Sequence, residues 1–160
     1  MNEIEEIACV LVTIRGAHLL LPGVVVAEVL KMQPIRPVAT TPDWHPGELS
    51  WRGHILPVLS FEQLLDPDAE LPAPGVNDAL LVMNRTRPRA EPEFYALLIR
   101  GLPRMLWVND QDLEPVPGPD DPAIAARVQL VGGDEALIPD LGHLEDLVVE
   151  HALVPRARTA

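Results

Sequence analysis

Eighteen prolines in a chain of 160 residues constrain its fold more than any other feature. Each proline fixes its own φ, removes a backbone donor and pushes the preceding residue out of the helical region. Over most of the chain they recur too often for long helices, which leaves short strands joined by turns. The hydrophobic share is 48%, so the chain as a whole is not disordered. Aromatic residues supply only 4%, so a core must be built from Leu, Val, Ala and Ile. The length suits one domain or two small subdomains.

The apolar runs between the breaks predict the elements. Residues 7–14 and 17–22 read as a hairpin turning at Arg15-Gly16. Residues 24–31 are ambiguous between a strand and a short helix. Residues 34–46 are broken by prolines and extended, and 47–52 pairs with 54–59 with Gly53 at the tight position. One helical turn is expected at 61–65, stopped by Asp66-Pro67, and then a connector rich in Asp, Pro and Ala over 66–77. Residues 78–84 and 93–101 form a second long hairpin, and 104–108, 124–131 and 135–139 add strands. The only long helical pattern is 141–153, with Leu141, Leu144, Leu147, Val148 and Leu153 on one side.

The two halves repeat this order. Ala8 to Val12 resembles Ala79 to Met83, and "GHILPVLSFEQLL" is echoed by "DEALIPDLGHLEDLV" around Pro57 and Pro139. The expectation is an all-β chain of about ten strands in two packed five-stranded barrels, with a short helical turn per half and a C-terminal helix. The implied boundaries are a first subdomain at about 7–75, a second at about 76–150, and a flexible tail at 151–160 within one domain spanning 1–160. Each half alone would bury a thin core, so the halves should share an apolar seam.

Charge and motifs narrow the function. Asp and Glu number 24 against 12 Lys and Arg, for a formal charge of −12. Such a surface repels nucleic acid and anionic membranes. The acidic start and the lack of an apolar run of membrane-spanning length make the cytoplasm the expected location. Cys9 is the sole cysteine and reads as a buried structural thiol. The five histidines, His18, His45, His54, His143 and His151, show no metal-ligand spacing and read as surface or turn residues. No nucleophile elbow, P-loop or dinucleotide fingerprint is present, and no cofactor is expected. Arg85, Arg87 and Arg89 form the only basic cluster, either a contact for an acidic partner or a solvated hairpin loop.

One stretch stands apart. In "GELSWRGHILPVLSFEQLL", Arg52 and Gly53 fall at a hairpin tip, with Trp51 and Trp44 flanking it. Gly53 permits positive φ, and Arg and Trp are enriched where interfaces concentrate their binding energy. Two readings stand: a tip presented to a protein partner, or Trp51 plugging a barrel end with Arg52 merely solvated.

This stretch resembles the signature of CheW-like domains, the chemotaxis coupling module. Gly47, Arg52, Gly53, Pro57 and Val58 match it, Leu59 and Phe61 fit, and Glu28-Val29 matches the family segment upstream. Pro42 and Trp44 resemble the proline-and-bulky pattern before the glycine, and loose similarity runs from about residue 7 to 150. Two positions depart: Ser60 stands where the family usually has aspartate, and Trp51 where it has a small or aliphatic residue. They point to a divergent member, of the kind found in pilus-linked or alternative chemosensory systems.

The resemblance implies two SH3-like barrels around a shared core and a non-catalytic adaptor. Its implied partners are the regulatory domain of a CheA-type histidine kinase and the cytoplasmic tip of a methyl-accepting chemoreceptor. Arg52, Gly53, Trp51, Trp44 and Glu28 would form the partner surface, Arg52 in part by bracing local structure. Two alternatives remain: a regulator that binds only a kinase or another adaptor, and a small-molecule binder or enzyme. The latter predicts a polar pocket of convergent histidines or carboxylates near His45, His54 or Arg52.

Overall fold

The apolar runs that open each half are continuous rather than alternating because both faces of those strands are buried. In β1 (Ile7–Ile14), Cys9 and Leu11 face one core while Val10, Val12 and Ile14 face another. In β6 (Ala79–Asn84), Leu80 and Val82 face a third core while Ala79, Leu81 and Met83 join the second. The period of two along a strand makes this division possible. It comes from a computed structural model, which describes residues 6–39, 41–86 and 93–152. The expected 151–160 tail, apart from the backbone of its first two residues, lies outside them, as do Arg87, Arg89 and Leu153.

The remaining strands are β2 (Ala17–Pro22), β3 (Val26–Lys31), β4 (Gly47–Trp51), β5 (His54–Leu59), β7 (Phe94–Ile99) and β8 (Arg104–Val108). They are followed by β9 (Leu113–Pro115), β10 (Ile124–Leu130) and β11 (Glu135–Pro139). The ambiguous 24–31 segment resolves into a 3-10 turn at Gly23–Val25 and then strand β3. Helix α1 spans Phe61–Leu65, and α2 spans Leu141–Leu147 and runs on as a π-helical turn, Val148–Ala152. Within that C-terminal helix Leu144 and Val148 are fully buried, and Leu141 packs on the same core. Among the described residues no helix is long and apolar enough to cross a membrane.

Two sheets result. One has the order β8-β1-β2-β11-β10-β9 and the other β3-β6-β7-β5-β4. Strand by strand they repeat one connectivity. The β1–β2 and β6–β7 hairpins are antiparallel, and so are β8 on β1 and β3 on β6. The next neighbours, β11 on β2 and β5 on β7, are both parallel. β9 is the extra strand, so the expected five-stranded sheet has six.

The expected division at residues 75 and 76 does not follow the sheets. β1 and β2 join β8 to β11, while β6 and β7 join β3 to β5. The repeats exchange their leading hairpins. The reason is burial: each leading hairpin has two apolar faces, and only a place between the two barrels covers both.

The shared seam contains Val12, Leu19, Leu81, Leu97, Phe61 and Leu144, all fully buried. Both helices enter it behind equivalent caps. The Ser60 side chain accepts from Gln63 N, and the Asp140 side chain accepts from His143 N. Serine and aspartate are equally good N-caps, so Ser60 keeps the physical role an aspartate would have there.

Candidate functional site

The β4–β5 hairpin turns through Arg52 and Gly53, at φ 45° and 80°. Two consecutive left-handed residues make the tight turn whose twist suits a two-residue hairpin. Gly53 adopts this conformation freely. Arg52 is the one non-glycine residue with positive φ among the described residues, and a side chain there costs roughly 1–2 kcal/mol.

Contacts from across the barrel hold that conformation. Arg52 Nη2 donates to Glu28 Oε1 at 2.5 Å, and Trp51 Nε1 donates to Glu28 Oε2 at 3.3 Å. The guanidinium also lies over the Trp51 ring, 5.1 Å from its centroid, a favourable cation–π placement. Trp51 in turn packs edge-on against Phe94 of β7 at 4.9 Å, and Phe94 against His54 of β5 at 5.1 Å. One carboxylate thus positions both the indole and the guanidinium, while the Arg52 side chain stays 69% exposed.

Of the two sequence readings of the tip, the plug describes Trp51 but not Arg52. Trp51 packs against the barrel core with Phe94, as a plug would. Arg52 is exposed but paired, neither freely solvated nor sealed in. The structure brings Glu28, Trp51, Arg52 and Gly53 together and leaves Trp44 out. Trp44 lies at the other end of β4, packs on the shared seam, and its carbonyl accepts from Ser60 N at 2.7 Å. It does not rim the Arg52 tip, because β4 separates the two tryptophans lengthwise.

Sequence reasoning missed Phe94 and His54 as members of this cluster. His54 was legible from its place beside the turn. Phe94 was not, because it arrives from the other repeat. It also missed the closure of the barrel at Gly47. There Arg36 and Glu48 exchange backbone hydrogen bonds at 2.8 and 3.0 Å, and Arg36 Nη2 donates to Glu48 Oε1 at 2.5 Å. A Cβ on Gly47 would sit 2.3 Å from the Arg36 carbonyl oxygen, which is why a glycine is needed there.

A second polar cluster braces the seam. Arg100 donates twice to Glu62, at 3.2 and 2.9 Å, and once to Asp78 at 3.0 Å. Hydrogen bonding to Glu62 holds the Arg100 pKa above its ordinary value. Glu62 also accepts from the Arg15 backbone N–H, and Glu145 of α2 accepts from the Thr86 backbone N–H and hydroxyl. Each helix therefore buries one glutamate against the hairpin of its own repeat. Tyr95 lies nearby in the seam, its hydroxyl pKa raised by burial and then by Glu145.

The histidines are not all surface residues: His45 is buried, while His18 pairs with Thr13 at 3.2 Å. Cys9 is a buried free thiol whose pKa burial raises. Among the described residues no three His, Cys, Asp or Glu side chains converge as a metal site. Of the basic cluster only Arg85 is described, half-buried and within electrostatic reach of Tyr95.

Known proteins share this fold. The family model for the CheW-like domain matches residues 8–147. The crystal structure of the scaffolding protein TtCheW from Thermoanaerobacter tengcongensis superposes with a TM-score of 0.70 at 16% identity. The match covers 86% of this chain and 90% of that one. No curated protein matches the chain. The fold is therefore the expected two-barrel, SH3-like arrangement, with the leading hairpins exchanged, and the chain belongs to the CheW-like domain family of chemotaxis coupling scaffolds.

Proposed function

We propose that this protein is a non-catalytic adaptor that couples a chemoreceptor to a CheA-type histidine kinase in the cytoplasm. It would bind the kinase through the kinase's own regulatory domain and the receptor at its cytoplasmic tip. The observation that carries this reading is the family match over residues 8–147, joined to a braced, exposed arginine at a barrel tip. Glu28, Trp51, Arg52 and Gly53 form the proposed partner surface. Trp44, on the seam, would act only by holding the 41–46 segment in place.

The mechanism is geometric. Two barrels locked through a common seam act as one rigid body, so a displacement of one partner is passed to the other. Each single contact is expected to be weak, on the order of micromolar, with assembly strengthened by several contacts at once. Ser60 caps α1 as an aspartate would, so its departure from the family pattern lends no support to a reading in which only a kinase or another adaptor is bound.

The test is binding of the purified full chain to the CheA-type regulatory domain and, separately, to the receptor tip from the same genome. Saturable binding to both supports the adaptor. Binding to the kinase alone moves the protein to the regulator class, and no binding to either at about 100 µM removes the proposal.

A further inference from the structure

The exchange of hairpins turns the chain into two interlocking halves. The first half, ahead of the connector, gives β1 and β2 to one sheet and β3, β4 and β5 to the other. The second half fills the remaining places in both. Neither barrel is complete without both halves. They are joined by the pairings of β1 with β8, β2 with β11, β3 with β6 and β5 with β7. The connector is the only covalent link between them. Nothing in these pairings requires the two halves to come from the same chain.

The connector's own bonds stay local. Its first part is tied to α1: the Ala69 carbonyl accepts from Gln63 Nε2 at 2.8 Å, and Ala69 N donates to the Asp66 carbonyl at 3.1 Å. Its last part is tied to the start of the second half: Gly75 N donates to Asp78 Oδ2 at 2.8 Å, and Asp78 N donates back to the Gly75 carbonyl at 3.0 Å. Between these ties, residues 70–74 make no hydrogen bond among the described residues. Leu71, Pro72 and Pro74 do not close onto Met32, Ile35 and Leu98 of the barrel but leave a cavity of about 600 Å³ between them. Pro72 and Pro74 also favour an extended run over a tight reversal. Opening the chain at 70–74 therefore forfeits little, and every strand pairing is rebuilt when the first half of one copy closes on the second half of another. The balance then rests on the effective concentration of the halves within one chain, about millimolar for a short flexible link and lower for a stiff one. Exchange has to part Val12 and Leu19 from Leu81 and Leu97, all fully buried in the seam, so it is slow in either direction.

We propose that residues 70–74 are a hinge through which two copies of this chain exchange halves, giving a reciprocal dimer of two complete bodies bridged by two connectors. Each body keeps its own Arg52 tip, so the dimer presents that surface twice. The inference does not depend on the adaptor reading, because the test reads assembly alone.

Refolding the full chain from urea at about 1 mM and at about 1 µM, followed by light scattering, tests it. The expected result is a dimer fraction from the concentrated sample alone, which persists when diluted under native conditions. A cross-link then identifies the exchange. Ala8 of β1 lies opposite Trp107 of β8, one from each half. In a Cys9→Ser background, Ala8→Cys and Trp107→Cys carried by separate chains meet in register only where halves of different chains pair. Co-refolding the two variants at about 1 mM should give a disulfide between the chains in the dimer fraction, and mixing them already folded should give none. Both substitutions in one chain, refolded dilute, should bond within a monomer, which shows that the position is competent. Monomer alone after refolding the unaltered chain at about 1 mM, or a dimer that falls apart at once on dilution, would overturn the proposal without any variant. So would a dimer in which the separate variants form no disulfide while the single-chain pair does, or a disulfide that forms equally on mixing the folded proteins.

Discussion

Glu28 and Arg52 are joined at 2.5 Å although they sit on opposite edges of a five-stranded sheet. Glu28 lies on β3, the first strand in the order, and Arg52 follows β4, the last. Their contact, with the Arg36–Glu48 bridge at the far end, brings the sheet's two edges together. The residue that the family signature singles out is thus a clasp as well as an exposed cation.

The clasp is expected to matter little for stability. An exposed ion pair contributes about 0–1 kcal/mol, so Arg52→Ala should keep a cooperative thermal transition near that of the unaltered protein. Arg52→Gly removes the same charge and also relieves the left-handed strain, and should melt no lower than Arg52→Ala. Both should weaken kinase-domain binding about tenfold. Unfolding of Arg52→Ala in a thermal melt would make the arginine structural and remove it from the partner surface.

Leu56 and Ile55 test the facing of β5. Leu56 is fully buried in the barrel core, while its neighbour Ile55 is 54% exposed. Leu56→Asp should destabilise by several kcal/mol, about 3 or more, because it buries an unpaired charge. Ile55→Asp should stay within about 1 kcal/mol. Equal losses in urea denaturation would mean that the strand is turned the wrong way.

Gly47 should not accept a side chain. Its added Cβ would meet the Arg36 carbonyl oxygen at 2.3 Å and the Ile35 side chain at 2.8 Å, and the first of these is backbone that cannot yield. Gly47→Ala should cost about 1–3 kcal/mol by overpacking. Gly75→Ala, whose nearest new contact is 3.8 Å, serves as the control and should be nearly neutral. Chemical denaturation of the two variants side by side decides the point.

Arg100 holds two carboxylates in the seam region, with 12% of its own side chain exposed and 3% of Glu62. Arg100→Met strands both acids and should destabilise by about 3–5 kcal/mol. Adding Glu62→Gln and Asp78→Asn to that variant should recover part of the loss, because no buried charge is then left alone. A triple variant no more stable than Arg100→Met in calorimetry would show that the loss comes from packing and not from charge.

The local elements were legible in the sequence because their causes are local. Apolar runs set β1, β2, β6 and β7, Arg52-Gly53 set the tight turn, and the step before Phe61 set a helix that Asp66-Pro67 stops. β9 was missed because Leu113–Pro115 is three residues long and ends on a proline, too short to show a period. The likeness between the two halves was also visible, since it needs only the order of runs and turns.

What the sequence could not decide is which apolar face meets which. A strand such as β1 is apolar on both sides, so its pattern cannot say whether it belongs with its own repeat or with the other. Only the packed structure assigned it, since covering both faces at once requires the exchange of hairpins between barrels. The same packing carried Phe94 to Trp51, moved Trp44 away from Arg52, and closed Glu28 onto Arg52. Those contacts depend on the curl of a whole sheet, a property of the assembled core rather than of any segment within it.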